Sequence, residues 1–127
     1  ARLRHTYRLG LVTDGHLAVQ QAKVTALGLE ALIDAIVYCD ELGREHWKPS
    51  VRPYEKVLSR LMIPPEHAVY VGDNPTKDFR GARELGMWTV RVRHPSSFRF
   101  QRESPTPQDA PHLEIPDLGQ LVLSCEL

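Results

Sequence analysis

Short apolar runs alternate with helical patterns along this chain, and this alternation constrains the fold more than any other feature of the sequence. The apolar runs occupy residues 9–12, 35–38, 68–71 and 88–92. The helical patterns occupy residues 17–27, 53–61 and a stretch from 76 or 77 to 85. Strands that alternate with helices are typical of an α/β fold with a parallel sheet. The sequence therefore predicts a Rossmann-like parallel sheet with flanking helices.

The helix over residues 53–61 is the clearest of the three. Its apolar residues recur at positions i, i+3, i+4 and i+7 and so share one face: Tyr54, Val57, Leu58 and Leu61. Pro53 suits a first helical position. In the third helix, the same reasoning predicts that Phe79, Ala82 and Leu85 point inward, and that Gly86 ends the helix.

With 127 residues, the chain has the length of a single domain. Residues 93–112 carry four prolines and three serines, and a loop of this length is predicted to be mobile. A last edge strand is predicted at residues 113–115 and a helical turn at 118–123. The sequence thus predicts a single partial domain over residues 1–127.

Charge and hydropathy argue against several classes of partner. Sixteen basic and sixteen acidic residues give a net charge of zero, which removes the main argument for nucleic-acid or anionic-membrane binding. No apolar run approaches the roughly 20 residues that a membrane span needs, and no signal peptide is recognisable. Cys39 and Cys125 form no CxxC pair, which favours reduced thiols and a cytoplasmic location.

Polar clusters follow successive predicted strands, where ligands bind in an open parallel sheet. The first cluster is Thr13-Asp14-Gly15, whose hydroxyl and backbone N–H groups suit an anion. An ordinary helix cap and turn would explain the same residues. The second cluster contains Lys48, a compact positive charge for a phosphoryl oxygen. Here the alternative is a solvated surface lysine.

The third cluster runs from Gly72 to Asp78, and its two carboxylates, Asp73 and Asp78, bracket a tight turn. Hard oxygen ligands in this position suit Mg²⁺. A turn residue and a carboxylate near a helix N-terminus would account for the same pair. Taken together, a hydroxyl, a lysine and an acidic pair after successive strands predict a site for a phosphoryl group and its metal.

These segments resemble the second, third and fourth motifs of the haloacid dehalogenase superfamily, in order and at suitable spacing. The segments are Leu11-Val12-Thr13-Asp14-Gly15, then Lys48-Pro49-Ser50 followed by Pro53-Tyr54, then Gly72-Asp73-Asn74-Pro75 with Asp78 and Gly81-Ala82. The resemblance runs from about Arg8 to Val92, and residues 113–123 resemble the family's last strand and helix. It implies a core of the haloacid dehalogenase type.

The resemblance also implies an activity, the Mg²⁺-dependent hydrolysis of phosphate monoesters through an aspartyl-phosphate intermediate. Thr13 would bind the phosphoryl oxygens, with the backbone of Asp14 and Gly15. Lys48 would neutralise the phosphoryl group and the carboxylate of the nucleophile. The implied substrate is a small phosphorylated metabolite, and the implied cofactor is Mg²⁺.

For the acidic cluster, the resemblance implies that Asp73 ligates Mg²⁺, directly or through water. Asp78 would complete the acidic shell, as a second metal residue, and would help to orient Lys48. The implied catalytic residues are therefore Lys48, Asp73 and Asp78. The nucleophile is absent: the family's first motif is an Asp-x-Asp pair, and none of the seven aspartates forms such a pair.

The first motif, its strand and any cap are therefore missing from the expected fold. That strand would lie at the centre of the sheet, between residues 9–12 and 68–71. Backbone groups left unpaired in a core cost about 1–3 kcal/mol each, against a total stability of about 5–15 kcal/mol. The two flanking strands could pair directly, a second copy could fill the position, or the chain could be one piece of a longer protein. The start at Ala1 favours the last alternative.

The leading hypothesis is thus the C-terminal part of a phosphatase, inactive by itself. The alternatives are a non-catalytic module that binds phosphate or Mg²⁺, and a module that self-associates through exposed sheet strands. Partners are expected to be a phosphorylated metabolite and a missing N-terminal segment or a second copy, not nucleic acid or membrane. Two basic stretches are interpreted as solvated surface: Arg2, Arg4 and Arg8 near the start, and Arg91, Arg93, Arg99 and Arg102 later.

Overall fold

The computed structural model describes residues 7–121, which form two compact units with the boundary between Pro64 and Pro65. Each unit has its own parallel sheet and its own helices. All described strand pairings are parallel, which confirms the predicted α/β class. The strands belong to two sheets rather than to one. That residues 1–127 act as one partial domain stays a prediction.

The first unit contains two parallel strands and two α-helices. Strand β1 spans Gly10–Thr13, helix α1 spans Leu17–Ala26, strand β2 spans Ala35–Tyr38 and helix α2 spans Arg52–Leu61. In the register of the sheet, Gly10 lies beside Ala35 and Thr13 beside Tyr38. Short 3₁₀ turns connect these elements: Leu29–Ala31, Cys39–Leu42 and Arg44–His46.

Helix α2 contributes more buried side chains to this unit's core than any other element, as its apolar periodicity predicted. The side chains predicted to share one face are all buried, and so is Pro53 at the start of the helix. The helix lies so close to β1 that a Cβ at Gly10 would come within 2.7 Å of Val57 Cγ2. Glycine at this position therefore permits the close packing of the helix on the strand.

The second unit is a three-stranded parallel sheet with one short α-helix. Strand β3 spans Val69–Gly72, helix α3 spans Arg80–Glu84, strand β4 spans Trp88–Val92 and strand β5 spans Leu113–Ile115. Strand β4 is in the centre, with β3 and β5 on either side. A 3₁₀ turn at Pro65–His67 precedes β3, and another at Pro107–Asp109 precedes β5. Residues 118–121 form a helical turn, and 122–123 lie outside the described residues.

Several predicted boundaries need correction. Strands β1 and β3 each begin and end one residue later than predicted. Helix α3 begins at Arg80, not at residue 76 or 77, because residues 73–79 form a turn that a side chain closes. Phe79 and Ala82 are fully buried, as expected, whereas Leu85 is only partly so.

Residues 93–112 form a series of turns with hydrogen bonds back to the rest of the second unit. The buried carboxylate of Asp109 accepts hydrogen bonds from the guanidinium of Arg80, at 3.0 and 3.2 Å, and from the Thr106 hydroxyl at 2.6 Å. The guanidinium holds the pKa of that carboxyl below its usual value. The segment is therefore attached at its C-terminal end, and its mobility stays a prediction.

Strands β1 and β3 each lie at the edge of a described sheet. Within the described pairings, β1 pairs only with β2, and β3 only with β4, so each has one edge that carries no strand partner. Among residues 7–121, no helix combines the length and the apolar character needed to cross a bilayer.

Candidate functional site

The predicted phosphate loop begins where β1 ends. The Thr13 hydroxyl donates a hydrogen bond to the side-chain oxygen of Gln20 on α1, at 3.2 Å. Gly15 has a φ of +105°, and a Cβ there would meet the Gln20 side-chain nitrogen at 2.6 Å. The Gln20 amide therefore lies against the loop and holds the hydroxyl that is expected to bind an anion. Gln20 lies one turn before the buried Val24 on the same face of α1, and nothing in its sequence context indicated this contact.

The second predicted element, Lys48, is joined to the same loop. The backbone N–H of Lys48 donates to Asp14 Oδ1 at 3.3 Å. The peptide bond from Lys48 to Pro49 is cis. A second carboxylate, Asp40, accepts a hydrogen bond from the backbone N–H of Leu17 at the start of α1, at 2.9 Å. The structure thus brings the Asp14 and Lys48 loops together within the first unit, while their role in phosphate binding stays a prediction.

A buried thiol lies at this junction. Cys39 immediately follows β2 and is completely inaccessible to solvent. Burial raises its pKa to about 12, and a hydrogen bond and negative charge from Asp14 add to the rise. At neutral pH the thiol is therefore protonated and unreactive. Cys39 therefore packs at the junction of the Asp14 and Lys48 loops and is not a nucleophile.

The acidic cluster of the second unit is organised around Asp78. This carboxylate is 3% exposed, and its Oδ2 accepts the backbone N–H groups of Asp73 and Asn74, at 3.1 and 2.8 Å. A Cβ at Gly72 would come within 2.6 Å of the same oxygen. Asp78 therefore closes the turn, a structural role that differs from the helix N-terminal charge that the sequence left open as its alternative. Its expected role toward a metal stays a prediction.

Asn74 completes the turn. Its side-chain oxygen accepts hydrogen bonds from the backbone N–H and the hydroxyl of Thr76, at 3.1 and 2.7 Å. Its backbone oxygen accepts the N–H groups of Lys77 and Asp78. Asn74 is buried, whereas Asp73 is exposed at the tip of the turn. The Asp73 carboxylate therefore faces outward, whereas the Asp78 carboxylate accepts hydrogen bonds from the backbone of the turn.

Asp73 has a partner that the sequence did not predict. Its Oδ2 lies 3.1 Å from Nη1 of Arg99, which belongs to the segment after β4. The Arg99 guanidinium also lies over the ring of Phe98, 4.4 Å from its centroid. The outward carboxylate of the turn is therefore paired with a cation of the same unit.

The interpretation of the later basic stretch as solvated surface is wrong for Arg91, which is 1% exposed, while Arg2 and Arg4 of the earlier stretch lie outside the described residues. One of its terminal nitrogens donates to the backbone oxygen of Arg99 at 2.9 Å, and the other lies 3.5 Å from Glu114. Burial and the neighbouring charge of Arg93 lower the Arg91 pKa. Arg93 itself forms ion pairs with Glu103 and Glu114. These pairings depend on the register of β4 and β5, which the local sequence does not specify.

The carboxylate oxygens at the acidic turn are ligands of the type that Mg²⁺ prefers, but the turn offers few of them. The ion binds hard oxygens and commonly uses one or two protein carboxylates while it keeps several waters. Across the described part of the chain, no three side chains of histidine, cysteine, aspartate or glutamate form a group that could hold a metal ion. Asp73, with its exposed carboxylate, is the ligand that the turn offers outward. A complete site needs oxygen ligands from elsewhere.

Comparison with known proteins defines the class of protein. Residues 2–92 match the family model of the haloacid dehalogenase-like hydrolases, so the chain belongs to that family. A crystal structure of a phosphatase of this type from Thermococcus onnurineus superposes with a TM-score of 0.80 and 29% identity. The superposition covers 97% of this chain and 53% of the chain in that crystal structure. The sequence resemblance and the fold class are both confirmed.

Individual relatives are phosphatases by name. The chain is 38% identical over 110 residues to the glyceraldehyde 3-phosphate phosphatase of Methanopyrus kandleri, covering 86% of this chain and 45% of that protein. It is 32% identical over 124 residues to the phosphoserine phosphatase of Thermus thermophilus, covering 95% of this chain and 45% of that protein. The chain thus spans about half the length of the curated relatives it matches.

Proposed function

We propose that this chain contributes the phosphate-binding lysine and the metal-binding aspartate of a phosphatase that acts on small phosphorylated metabolites. The observation that carries the proposal is the order of the motifs within the matched region, residues 2–92. Thr13, Lys48 and Asp73 all fall inside it. The phosphatase names of relatives at 30–38% identity support the reaction type.

In the proposed reaction, a carboxylate attacks the phosphorus of a phosphate monoester. The bond from phosphorus to the alcohol oxygen breaks, the alcohol takes a proton from an acid, and water then hydrolyses the aspartyl-phosphate to release phosphate. Thr13, with the backbone of Asp14 and Gly15, binds the phosphoryl oxygens. Lys48 neutralises the charge on the phosphoryl group and on the attacking carboxylate.

Asp73 and Asp78 have different roles in this proposal. Asp73 ligates Mg²⁺, which when bound stabilises negative charge on the phosphoryl oxygens. Asp78 shapes the turn that presents Asp73, and it adds a second carboxylate to the acidic cluster. Because the sequence lacks the Asp-x-Asp carboxylates of the first motif, weak Mg²⁺ binding by this chain alone is expected.

The attacking carboxylate and the acid come from residues other than these 127. No Asp-x-Asp pair occurs in the sequence, so the chain alone is expected to be inactive. The open edges of β1 and β3 are where a strand carrying that pair would add. The proposed setting is the cytoplasm, because a buried reduced thiol suits a reducing compartment.

The test is to supply the missing pair. A segment with an apolar strand ending in Asp-x-Asp, taken from a curated relative, is fused to this chain or added in trans, and p-nitrophenyl phosphate hydrolysis is measured. We expect no turnover by the chain alone and Mg²⁺-dependent turnover by the assembly. Lys48→Ala or Asp73→Asn should each reduce kcat at least about a hundredfold.

Two exposed residues provide matched controls. Lys23→Ala removes an exposed lysine from α1, and Asp117→Asn changes an exposed aspartate after β5. Both variants should keep the activity of the assembly. Turnover by the chain alone that Asp73→Asn abolishes would contradict the expected dependence on a supplied Asp-x-Asp pair. An inactive assembly in which the added segment is bound would contradict the proposed function itself.

A second candidate function, self-association, is favoured by the same open edges. An exposed strand edge offers unpaired backbone groups to another chain. Size-exclusion chromatography with light scattering measures the mass over a range of concentrations. A dimer or larger species would support this candidate, and a monomer at every concentration would contradict it.

A further inference from the structure

The partner of Asp73 is the starting observation. In the proposed function, Asp73 is the outward ligand for Mg²⁺, yet its Oδ2 already bonds to Nη1 of Arg99 at 3.1 Å. A guanidinium and a divalent cation both require the negative charge of this carboxylate. An ion that binds there must compete with the arginine.

Several contacts hold Arg99 in this position. The backbone oxygen of Arg99 accepts a hydrogen bond from the buried side chain of Arg91, at 2.9 Å. The guanidinium lies 4.4 Å from the centroid of the Phe98 ring, a distance typical of a cation–π contact. The backbone N–H of Arg99 donates to the Ser97 hydroxyl at 3.1 Å. The main chain is thus anchored, which reduces the entropy lost when the side chain pairs with Asp73.

The burial of the pair indicates how strongly it competes. The Arg99 side chain is 27% exposed and the Asp73 side chain 52% exposed. Nε of Arg99 is buried and has no hydrogen-bond partner. A pair that is this open to water is weak, comparable with the exposed ion pairs measured in other proteins. It can therefore be displaced by a cation and still lower the affinity for that cation.

We propose that Arg99 is an internal competitor for the Asp73 carboxylate, so that a divalent cation binds the turn only by displacing the arginine. Arg99 is then a positioning residue that sets the affinity of the metal site. This inference rests on the proposed function for the role of Asp73 as a ligand. It assigns to Arg99 a role that its place in a basic stretch did not indicate.

The test measures cation binding rather than turnover. Mg²⁺ is titrated into the isotope-labelled chain while nuclear magnetic resonance follows the amides of Asp73 and Asn74 and the Nε–H groups of the arginines. In the wild type, the Asp73 amide and the Arg99 Nε–H should shift together. Arg99→Gln should raise the Mg²⁺ affinity about two- to fivefold, as expected for loss of a weak competing ion pair.

Two further variants separate charge from structure. Arg99→Lys keeps the positive charge and should stay close to the wild-type affinity. Arg102→Gln removes an exposed arginine from the same segment and should not change it. An equal gain in affinity for Arg99→Lys and Arg99→Gln would contradict competition by charge, because only the second variant loses the cation.

The outcomes also distinguish this inference from the proposed function. If Asp73→Asn weakens Mg²⁺ binding and Arg99→Gln leaves it unchanged, the competition is overturned and the role of Asp73 stands. If Asp73→Asn leaves Mg²⁺ binding unchanged, the metal role of Asp73 is overturned, and the proposed function and this inference fail together. If Mg²⁺ shifts the Asp73 amide but not the Arg99 Nε–H, displacement is contradicted.

Discussion

At the scale of single residues, Asp78 illustrates how a side chain can serve a site without facing a ligand. Its carboxylate accepts two consecutive backbone N–H groups, from Asp73 and Asn74, and so fixes the turn after β3. The negative charge of Asp78 therefore stabilises the turn instead of facing a ligand. Asp73 is left exposed at its tip, 52% accessible, where an ion or Arg99 can reach it.

Gly72 is expected to be indispensable to this turn. A Cβ at Gly72 would come within 2.6 Å of Asp78 Oδ2 and 2.8 Å of its Cγ, so Gly72→Ala should lower the free energy of unfolding by about 1–3 kcal/mol. Urea denaturation measures the change. The cost should largely vanish when Gly72→Ala is introduced into Asp78→Gly, because the side chain that clashes is then absent. Equal costs in both backgrounds would contradict the proposed contact.

Cys39 should be chemically protected in the folded chain. With Cys125 replaced by serine, the remaining thiol should react with a disulfide reagent at pH 8 about a thousandfold more slowly in the folded than in the unfolded chain, because its pKa is raised to about 12. Reaction at the rate of the unfolded chain would show that the thiol is accessible.

The raised pKa of Cys39 also predicts how the stability of the fold depends on pH. The folded thiol binds its proton more tightly than the unfolded thiol, whose pKa is close to 9. Its contribution to stability is therefore complete below about pH 9 and is lost as the pH rises toward 12. Cys39→Ala should flatten this loss in thermal unfolding over that range.

At the scale of the elements, an ion pair of Arg80 and two hydrogen bonds from Arg83 attach the segment between β4 and β5 to α3. The Asp109 carboxylate lies within hydrogen-bond distance of Arg80 Nε and Nη2. Arg80→Met should lower the melting temperature by a few degrees at pH 7, because a buried carboxylate then loses its cation and keeps the hydrogen bond from the Thr106 hydroxyl.

This effect should depend on pH with a definite sign. Arg80 holds the Asp109 pKa below its usual value, so the pair stabilises the fold at pH values above the unfolded pKa. The difference between wild type and Arg80→Met should shrink as the pH falls through the carboxyl range. Arg60→Met is a control, because that guanidinium donates to a backbone carbonyl, which does not titrate. A difference that stays constant down to low pH would contradict the assignment.

The elements show which parts of the structure the sequence predicts. The apolar face of α2 and the run that forms β4 are local patterns, and both were predicted to within one residue at each end. Helix α3 is shorter than predicted because residues 73–79 form a turn, in which the Asp78 carboxylate accepts the N–H groups of Asp73 and Asn74 and the Asn74 backbone oxygen accepts those of Lys77 and Asp78. A turn of this kind depends on a side-chain rotamer, which the helix period does not indicate.

The partners of the candidate site are harder to predict, for the same kind of reason. Lys48 and Asp73 were selected from short motifs, whose spacing is visible in the sequence. Gln20, Cys39 and Arg99 were not selected, because each reaches its partner across a loop or a strand register. The contact of Arg99 with Asp73 joins residues 26 positions apart. No local signal identifies such a pair.

At the scale of the whole molecule, the proposed function draws on residues of both units. The first unit holds Thr13 and Lys48, which bind phosphate in the proposal, and the second holds Asp73, which binds metal. The chain belongs to the haloacid dehalogenase-like hydrolases and spans about half the length of the curated relatives it matches. The proposed function therefore requires that Lys48 and Asp73 serve the same reaction.

A double-mutant cycle between Lys48 and Asp73 tests this claim most directly. Lys48→Ala, Asp73→Asn and the double variant are introduced into the assembly supplied with an Asp-x-Asp segment, and kcat/KM for p-nitrophenyl phosphate is measured. Residues that act on one reacting group are strongly non-additive. We predict that the double variant is about as slow as the slower single variant. Losses that simply multiply would contradict a shared phosphoryl group.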